Sequence, residues 1–130
     1  MKDPFLDMLS SEDVGVFVMH NDIVVGYNWR KDFNTSKIIK SDGYLPISGK
    51  CSHLHWARVK KDMRGLGLQK LMLTFLIDHA YEQGIVNLYT DVEINNIAAL
   101  RGINKIGFKK IYRILVLRTK LNWRTITIKY

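Results

Sequence analysis

At 130 residues the chain is long enough for one hydrophobic core and too short for two. Its 47% apolar and 25% charged residues are ordinary for a folded domain, and a formal charge of +8 directs it toward anionic partners such as phosphates, nucleotides or acidic surfaces. A single cysteine, Cys51, excludes an internal disulfide and a cysteine-built metal cluster. No apolar run approaches the roughly 18 residues of a membrane span, and acids interrupt the first residues where a secretory leader would be apolar. The expectation is a cytoplasmic protein with no membrane partner.

In chain order, residues 1–13 read as a short helix or loop, with Asp3-Pro4 as a helix start. Gly15–His20 and Ile23–Trp29 are β-rich runs joined by Asn21-Asp22, the signature of a hairpin. Residues 31–50 are turn-forming and polar, a long loop with at most a short strand at Lys37–Ile39. Cys51–Val59 reads as a strand. A helix follows from about Leu66 to Glu82, its apolar face made by Leu68, Leu71, Met72, Phe75, Leu76 and Ala80 and its end marked by Gly84. Ile85–Val92 is a strand, and Asn95-Asn96 caps a second helix that Gly107 ends after Ile106. Strands return at Lys109–Lys120 and Thr125–Tyr130. The order β-β-β-α-β-α-β-β predicts one α/β domain over 1–130 with a mixed sheet, 1–14 being a short N-terminal segment.

The stretch that carries most chemistry is Val59 to Met72. A strand end, a basic glycine turn and the start of an apolar helix present backbone N–H groups that the helix itself leaves without acceptors. The helix dipole adds partial positive charge there, so a phosphate is the natural guest. Gly65 and Gly67 keep side chains off the backbone, and Lys60, Lys61, Arg64 and Lys70 surround it with full charges.

These residues resemble the GNAT (Gcn5-related N-acetyltransferase) superfamily. Its acetyl-CoA motif, Gln/Arg-x-x-Gly-x-Gly/Ala, stands here as Arg64-Gly65-Leu66-Gly67-Leu68-Gln69, with Gln69 departing from Gly or Ala. A second family motif runs from Asn96 through Ala99 to Gly107-Phe108, with the family's spacing. The resemblance covers about residues 15–120 and implies a GNAT-like mixed sheet with two helices and an acetyl-CoA site between splayed central strands. The family's usual first strand and its one or two helices before the hairpin are not matched. A homodimer, or a partner domain completing the N-terminal part, would fit that gap, as would a chain cut from a longer protein.

From the resemblance, the N–H groups of Leu66, Gly67, Leu68, Gln69 and Lys70 bind the pyrophosphate of acetyl-CoA, with Arg64 and Gly65 in the same turn. The backbone of Ala57 and Val59 hydrogen-bonds the pantetheine arm, Asn96 touches that arm or caps its helix, and Ala99 of the same motif counts among the cofactor-binding residues. Asp91 takes the place of the carboxylate that some members carry five residues before the motif asparagine, and so is a candidate base. The family's tyrosine acid would stand at Ile103, which has no proton to donate, and spacing does not choose between Tyr89 and Tyr112 as substitutes.

Read from the residues alone, His53 and His55 are two apart on a strand and share a face. Histidine titrates near neutrality and suits proton shuttling. Ordinary hydrogen-bonded strand residues would look the same, and no third ligand has the spacing for a metal. His79 on the helix reads as packing. Trp56, Tyr27, Trp29, Phe33 and Tyr44 could line an acceptor pocket or form core.

The expected activity is acetyl transfer from acetyl-CoA to a primary amine by direct attack in a ternary complex, without a metal; Cys51 lies too far upstream for a covalent route. The acceptor could be a small molecule, an amino sugar or a protein amine. Two other readings stand beside it. Ile103 and Gln69 suit a non-catalytic acyl-CoA-binding module. The nine cations after Glu93, with no acid among them, would suit a nucleic-acid face, but the aromatic-basic motifs of RNA modules are missing.

Overall fold

A computed structural model describes residues 13–33, 37–40, 44–47, 50–118 and 123–130. The helix or loop expected over 1–13 lies, Asp13 apart, outside the described residues. In chain order the elements are β1 (Val14–His20), β2 (Ile23–Phe33), β3 (Lys37–Lys40), β4 (Tyr44–Ile47), β5 (Cys51–Val59), a 3-10 turn (Lys61–Met63), α1 (Leu68–Glu82), β6 (Asn87–Thr90), α2 (Ile97–Ile106), β7 (Tyr112–Arg118) and β8 (Trp123–Lys129). The expected order holds, with one addition. Where a loop with at most a short strand at Lys37–Ile39 was expected, β2 continues to Phe33 and β3 pairs with β4 as a hairpin. By internal contacts the chain forms two units, Met1–Phe33 with Lys50–Asp91, and Asn34–Gly49 with Val92–Tyr130.

In the first unit the strands lie in the order β1-β2-β5-β6. The first two pairings are antiparallel and the last is parallel. Asn21 and Asp22 both take positive φ (49° and 60°), the backbone that a two-residue turn needs to match the twist of its strands. Helix α1 covers one face of the sheet. Its buried stripe is Met72, Leu73, Leu76 and Ala80. Leu71 and Phe75, expected on that stripe, are instead 60% and 55% exposed. At 100° per residue the stripe through 72, 76 and 80 takes 73 as its neighbour and turns 71 and 75 outward. Gly84 closes the helix at φ 74°, with Gly84 N–H bonding the Tyr81 carbonyl and Ile85 N–H that of Ala80. That pairing satisfies the last carbonyls and turns the chain toward β6.

Residues alternate between the two faces of the sheet. Arg30, Asp32, Ser52 and Leu54 are cross-strand neighbours, Arg30 opposite Leu54 and Asp32 opposite Ser52, and Arg30 bonds to α1. His53, His55, Tyr27 and Trp29 therefore face the other way. The alternation in β5 is broken once. Trp56 and Ala57 together stand opposite Asn28 alone, and Trp56 takes φ 51°. This is a β-bulge with a left-handed first residue, a conformation that costs a non-glycine residue about 1–2 kcal/mol. The strand was expected to run without interruption. The bulge instead turns Val59, opposite Gly26, to the α1 side and Arg58, opposite Tyr27, to the histidine side.

The second unit holds the β3–β4 hairpin, α2 and the β7–β8 hairpin, with β4 against β7 and β8. Asn96 caps α2 as its sequence suggested, its side chain accepting from Ala99 N–H at 3.2 Å, and Gly107 ends the helix at φ 114°.

Candidate active site

Three features of the first unit meet around β5. The first is the end of strand pairing. β5 and β6 are in parallel register from Cys51–Asn87 to Leu54–Thr90 and no further. The Thr90 hydroxyl donates to the Leu54 carbonyl at 3.1 Å and closes the ladder. From His55 to Val59, β5 keeps β2 on one side and has no strand partner on its other edge among the described residues. Ala57 and Val59, the two residues expected to meet an extended ligand, lie on this stretch. One of its groups is engaged within the chain, since Arg64 Nε donates to the Val59 carbonyl at 3.1 Å.

The second feature is the turn. Gly65 and Gly67 have φ of 79° and 77°, and nothing lies within 4 Å of where a Cβ would stand at either. Glycine is required there by backbone conformation and not by crowding. The helix begins at Leu68, not at Leu66 as expected, because Gly67 in the left-handed region is its cap. No side chain caps this end, and the first closing bond is Leu71 N–H to the Gly67 carbonyl at 3.0 Å. The N–H groups of Leu68, Gln69 and Lys70 therefore have no acceptor in the helix. Leu66 is 65% exposed and Lys70 is exposed, while Gln69 is half-buried. Asn96 and Ala99, the remaining expected cofactor residues, lie on the second unit, where the capping bond is their contact with each other.

The third feature is the histidine face. His53 Nε2 lies 2.6 Å from Asp91 Oδ1. A carboxylate can only accept, so Nε2 carries the proton of this contact. The side chain of His53 is 8% exposed and that of Asp91 45%, so the contact runs from the sheet interior to solvent. His55 stacks on His53 with ring centroids 5.4 Å apart and an interplanar angle of 10°. Its Nε2 is buried without a hydrogen bond, Asp13 Oδ2 standing 3.9 Å away. Burial, and then the neighbouring His53, pull the His55 pKa below its ordinary 6.5. A neutral imidazole at pH 7 follows, with proton-accepting capacity. Tyr89 is the register partner of His53 on β6, and Tyr112 belongs to the second unit.

The aromatic group divides. Trp29 is 2% exposed and core, packed edge-on by Phe17 at 5.6 Å, while Trp56 at the bulge is 47% exposed. Tyr27 and Phe33 are half-buried, and the side chain of Tyr44 lies outside the described residues. Cys51 is fully buried, and burial followed by the charge of Asp32 raises its thiol pKa, which disfavours the thiolate. Among the described residues no three His, Cys, Asp or Glu side chains converge as a metal site, and no helix is long and apolar enough to cross a membrane. Sequence reasoning missed Asp13, which precedes β1 with no local signal. It also missed the Arg30–Asp32–Ser52 network, for which opposite charges two apart on a strand were an available sign.

Comparison with known proteins bears on the family and the fold. The family model described as acetyltransferase (GNAT) family matches residues 2–108. Among solved structures, a predicted acetyltransferase with acetyl-CoA from Clostridium acetobutylicum is 17% identical with TM-score 0.65, over 82% of this chain and 65% of that one. This chain thus spans just under two thirds of that protein's length. The aminoglycoside N-acetyltransferase AAC(6')-Iy in complex with CoA is 14% identical with TM-score 0.70, over 90% and 86% of the two chains. A putative acetyl transferase from Pyrococcus furiosus is 23% identical with TM-score 0.65, over 89% and 71%. At these identities the likeness is one of fold. Among curated proteins none matches this sequence.

Proposed function

Since the chain belongs to the acetyltransferase (GNAT) family, we propose that it transfers the acetyl group of acetyl-CoA to a primary amine by direct attack. The observation that carries this reading is the parting of β5 from β6 beside the His53–Asp91 contact. Acetyl-CoA supplies a thioester, and the chain's residues do the rest. The N–H groups of Leu68, Gln69 and Lys70 hold the pyrophosphate at the start of α1, helped by the dipole. The open edge at Ala57 and Val59 holds the pantetheine arm as a further strand would be held, and a backbone N–H there polarises the thioester carbonyl.

An ammonium cannot attack, so the acceptor must lose a proton. The stacked His53 and His55 take it, and Asp91 holds His53 by its Nε2–H and stabilises the cation when it forms. The amine nitrogen bonds to the carbonyl carbon, the carbon–sulfur bond breaks and the thiolate departs. Tyr89, opposite His53, is the donor nearest the histidines in register and returns a proton to sulfur in place of the absent tyrosine at Ile103. The acceptor is a small amine, an amino sugar or a protein amine, in the cytoplasm.

The test is calorimetry with acetyl-CoA on wild type and Gly67→Asp, followed by turnover on aminoglycosides, polyamines and peptides. Micromolar binding that the variant loses, with turnover on one acceptor class, is the expected result. A folded wild type that fails to bind acetyl-CoA overturns the reading. Binding without turnover on any amine would reduce the protein to an acyl-CoA-binding module.

A further inference from the structure

The two carboxylates beside the histidine pair stand in different relations to their imidazoles. Asp91 comes from the β6 side and already meets His53 at 2.6 Å. Asp13 comes from the β1 side, and its Oδ2 stops 3.9 Å from His55 Nε2. That separation is too long for a hydrogen bond, and Nε2 is buried without one. Val14 pairs with Arg30, so strand alternation puts Asp13 on the face of Trp29 and His55 and not on the α1 face. Its side chain is 10% exposed and that of His55 19%, so solvent screens the gap little.

What this gap does depends on the charge of the ring. A neutral imidazole has one N–H, and whichever nitrogen holds it, Nε2 has no hydrogen-bond partner. An imidazolium has an N–H at both nitrogens, so Nε2 then carries a proton toward the Asp13 carboxylate. A closure of about 1 Å reaches the roughly 2.8 Å of a charge-assisted bond. Asp91 differs, because its contact exists before any proton arrives. A contact that strengthens as charge develops lowers a barrier, whereas one made equally beforehand does not. Resting on the acetyl-transfer reading above, we infer that Asp13 is a positioning residue for His55, closing on Nε2 as the ring takes the proton of the acceptor ammonium. The nitrogen that receives this proton is Nδ1, since burial closes off Nε2. The proton goes from the amine to the imidazole and later to solvent, and Asp13 stays ionised throughout. The acetyl group passes from sulfur to nitrogen as before.

The electrostatics of the face point the same way. Burial, then His53, lower the His55 pKa, and Asp13 is the strongest influence raising it, ahead of Asp91. Lys31, opposite His53 on β2, lowers it. Tyr27 and Arg58 on the same face, and Tyr89 opposite His53, are the other titratable groups there among the described residues.

The experiment follows the His55 ring nitrogens by NMR against pH in the protein without ligand, with His55→Gln assigning the signals. Asp13→Asn should move the His55 midpoint to lower pH, because the carboxylate that favours the cation is gone. Lys31→Gln should move it to higher pH, and Asp13→Glu should lie nearer wild type than Asp13→Asn does. In wild type the Asp13 carboxyl carbon should show a second inflection at the His55 midpoint, a readout that needs no variant to fold. In turnover of an amine, Asp13→Asn should carry the acid limb of kcat/KM down with the midpoint. It should also lower kcat about tenfold, less than the roughly hundredfold of losing a base outright. An unmoved midpoint, an absent second inflection, or lost stability with the acid limb in place overturns the assignment and leaves acetyl transfer standing. A folded wild type without turnover on any amine removes the acetyl-transfer reading and this one with it.

Discussion

The two faces of the β2–β5 pair each carry a polar cluster, and the clusters differ in how completely they are satisfied. On the α1 face Arg30 is fully buried. Its Nε and one Nη bind both oxygens of Asp32 at 3.0 and 3.2 Å, and the rest of the fork reaches the Leu76 carbonyl, His79 Nδ1 and Gln83 Oε1 at 3.0 to 3.3 Å. The Ser52 hydroxyl donates to the same Asp32 oxygen. His79 can only accept from a guanidinium, so it is committed to this network as packing and not as chemistry. On the other face, His53 meets Asp91 through Nε2, and His55 Nε2 is buried without a hydrogen-bond partner among the described residues. A saturated network holds a helix to a sheet. An unsaturated one, next to a parted strand edge, has capacity left for a substrate. Number of charges does not separate the two; unmade bonds do.

That contrast predicts where stability and activity should part. The largest stability effect is expected at Arg30. Arg30→Ala leaves Asp32, His79 and Gln83 without their common donor and should cost about 3–5 kcal/mol by denaturant unfolding. Arg30→Lys should recover little, since one ammonium cannot replace a five-donor fork. A cost under about 1 kcal/mol would show the network to be ornamental. On the opposite face the signs reverse. Asp91→Asn should lower kcat about a hundredfold or more, as loss of an acid–base partner does, while the unfolding midpoint moves little because Asp91 is half-exposed. If activity and stability fell together in this variant, His53–Asp91 would be a structural pair like Arg30–Asp32.

The pH dependence sharpens the comparison. The folded pKa of His55 lies below the unfolded value near 6.5. On acidification the unfolded chain therefore takes up its proton first. The His55 contribution to stability is full above about 6.5 and is lost as pH falls toward the depressed folded value. His55→Gln should flatten the thermal stability profile in that window; an unchanged slope would place the acid sensitivity elsewhere. In kcat/KM the wild-type acid limb should lie below the ordinary histidine range, and the same variant should move or remove it. The smallest effect is expected at Gln69, whose N–H and not its side chain is proposed to hold the pyrophosphate. Gln69→Gly should change acetyl-CoA affinity by no more than about threefold, upward if the side chain crowds a phosphate oxygen. No gain would dismiss the crowding.

Local signals in this chain were strong wherever chemistry is local. Asn21-Asp22 specified the first turn, Gly65 and Gly67 the turn before α1, Gly84 and Gly107 the helix ends, and Asn96 the second cap, because each depends on φ or a side chain within a few residues. The motif spacing from Arg64 to Phe108 placed the family. The alternation of β5 also put His53 and His55 on one side. The sequence could not show that Trp56 breaks that alternation, since the bulge is decided by pairing with Asn28 across the sheet. Nor could it show that Asp91, thirty-eight residues away, closes to 2.6 Å from His53, or that Tyr89 and not Tyr112 shares their register. Backbone conformation is written in neighbouring residues. Which polar groups meet, and which are left with a lone pair to use, is decided only when distant strands come into register.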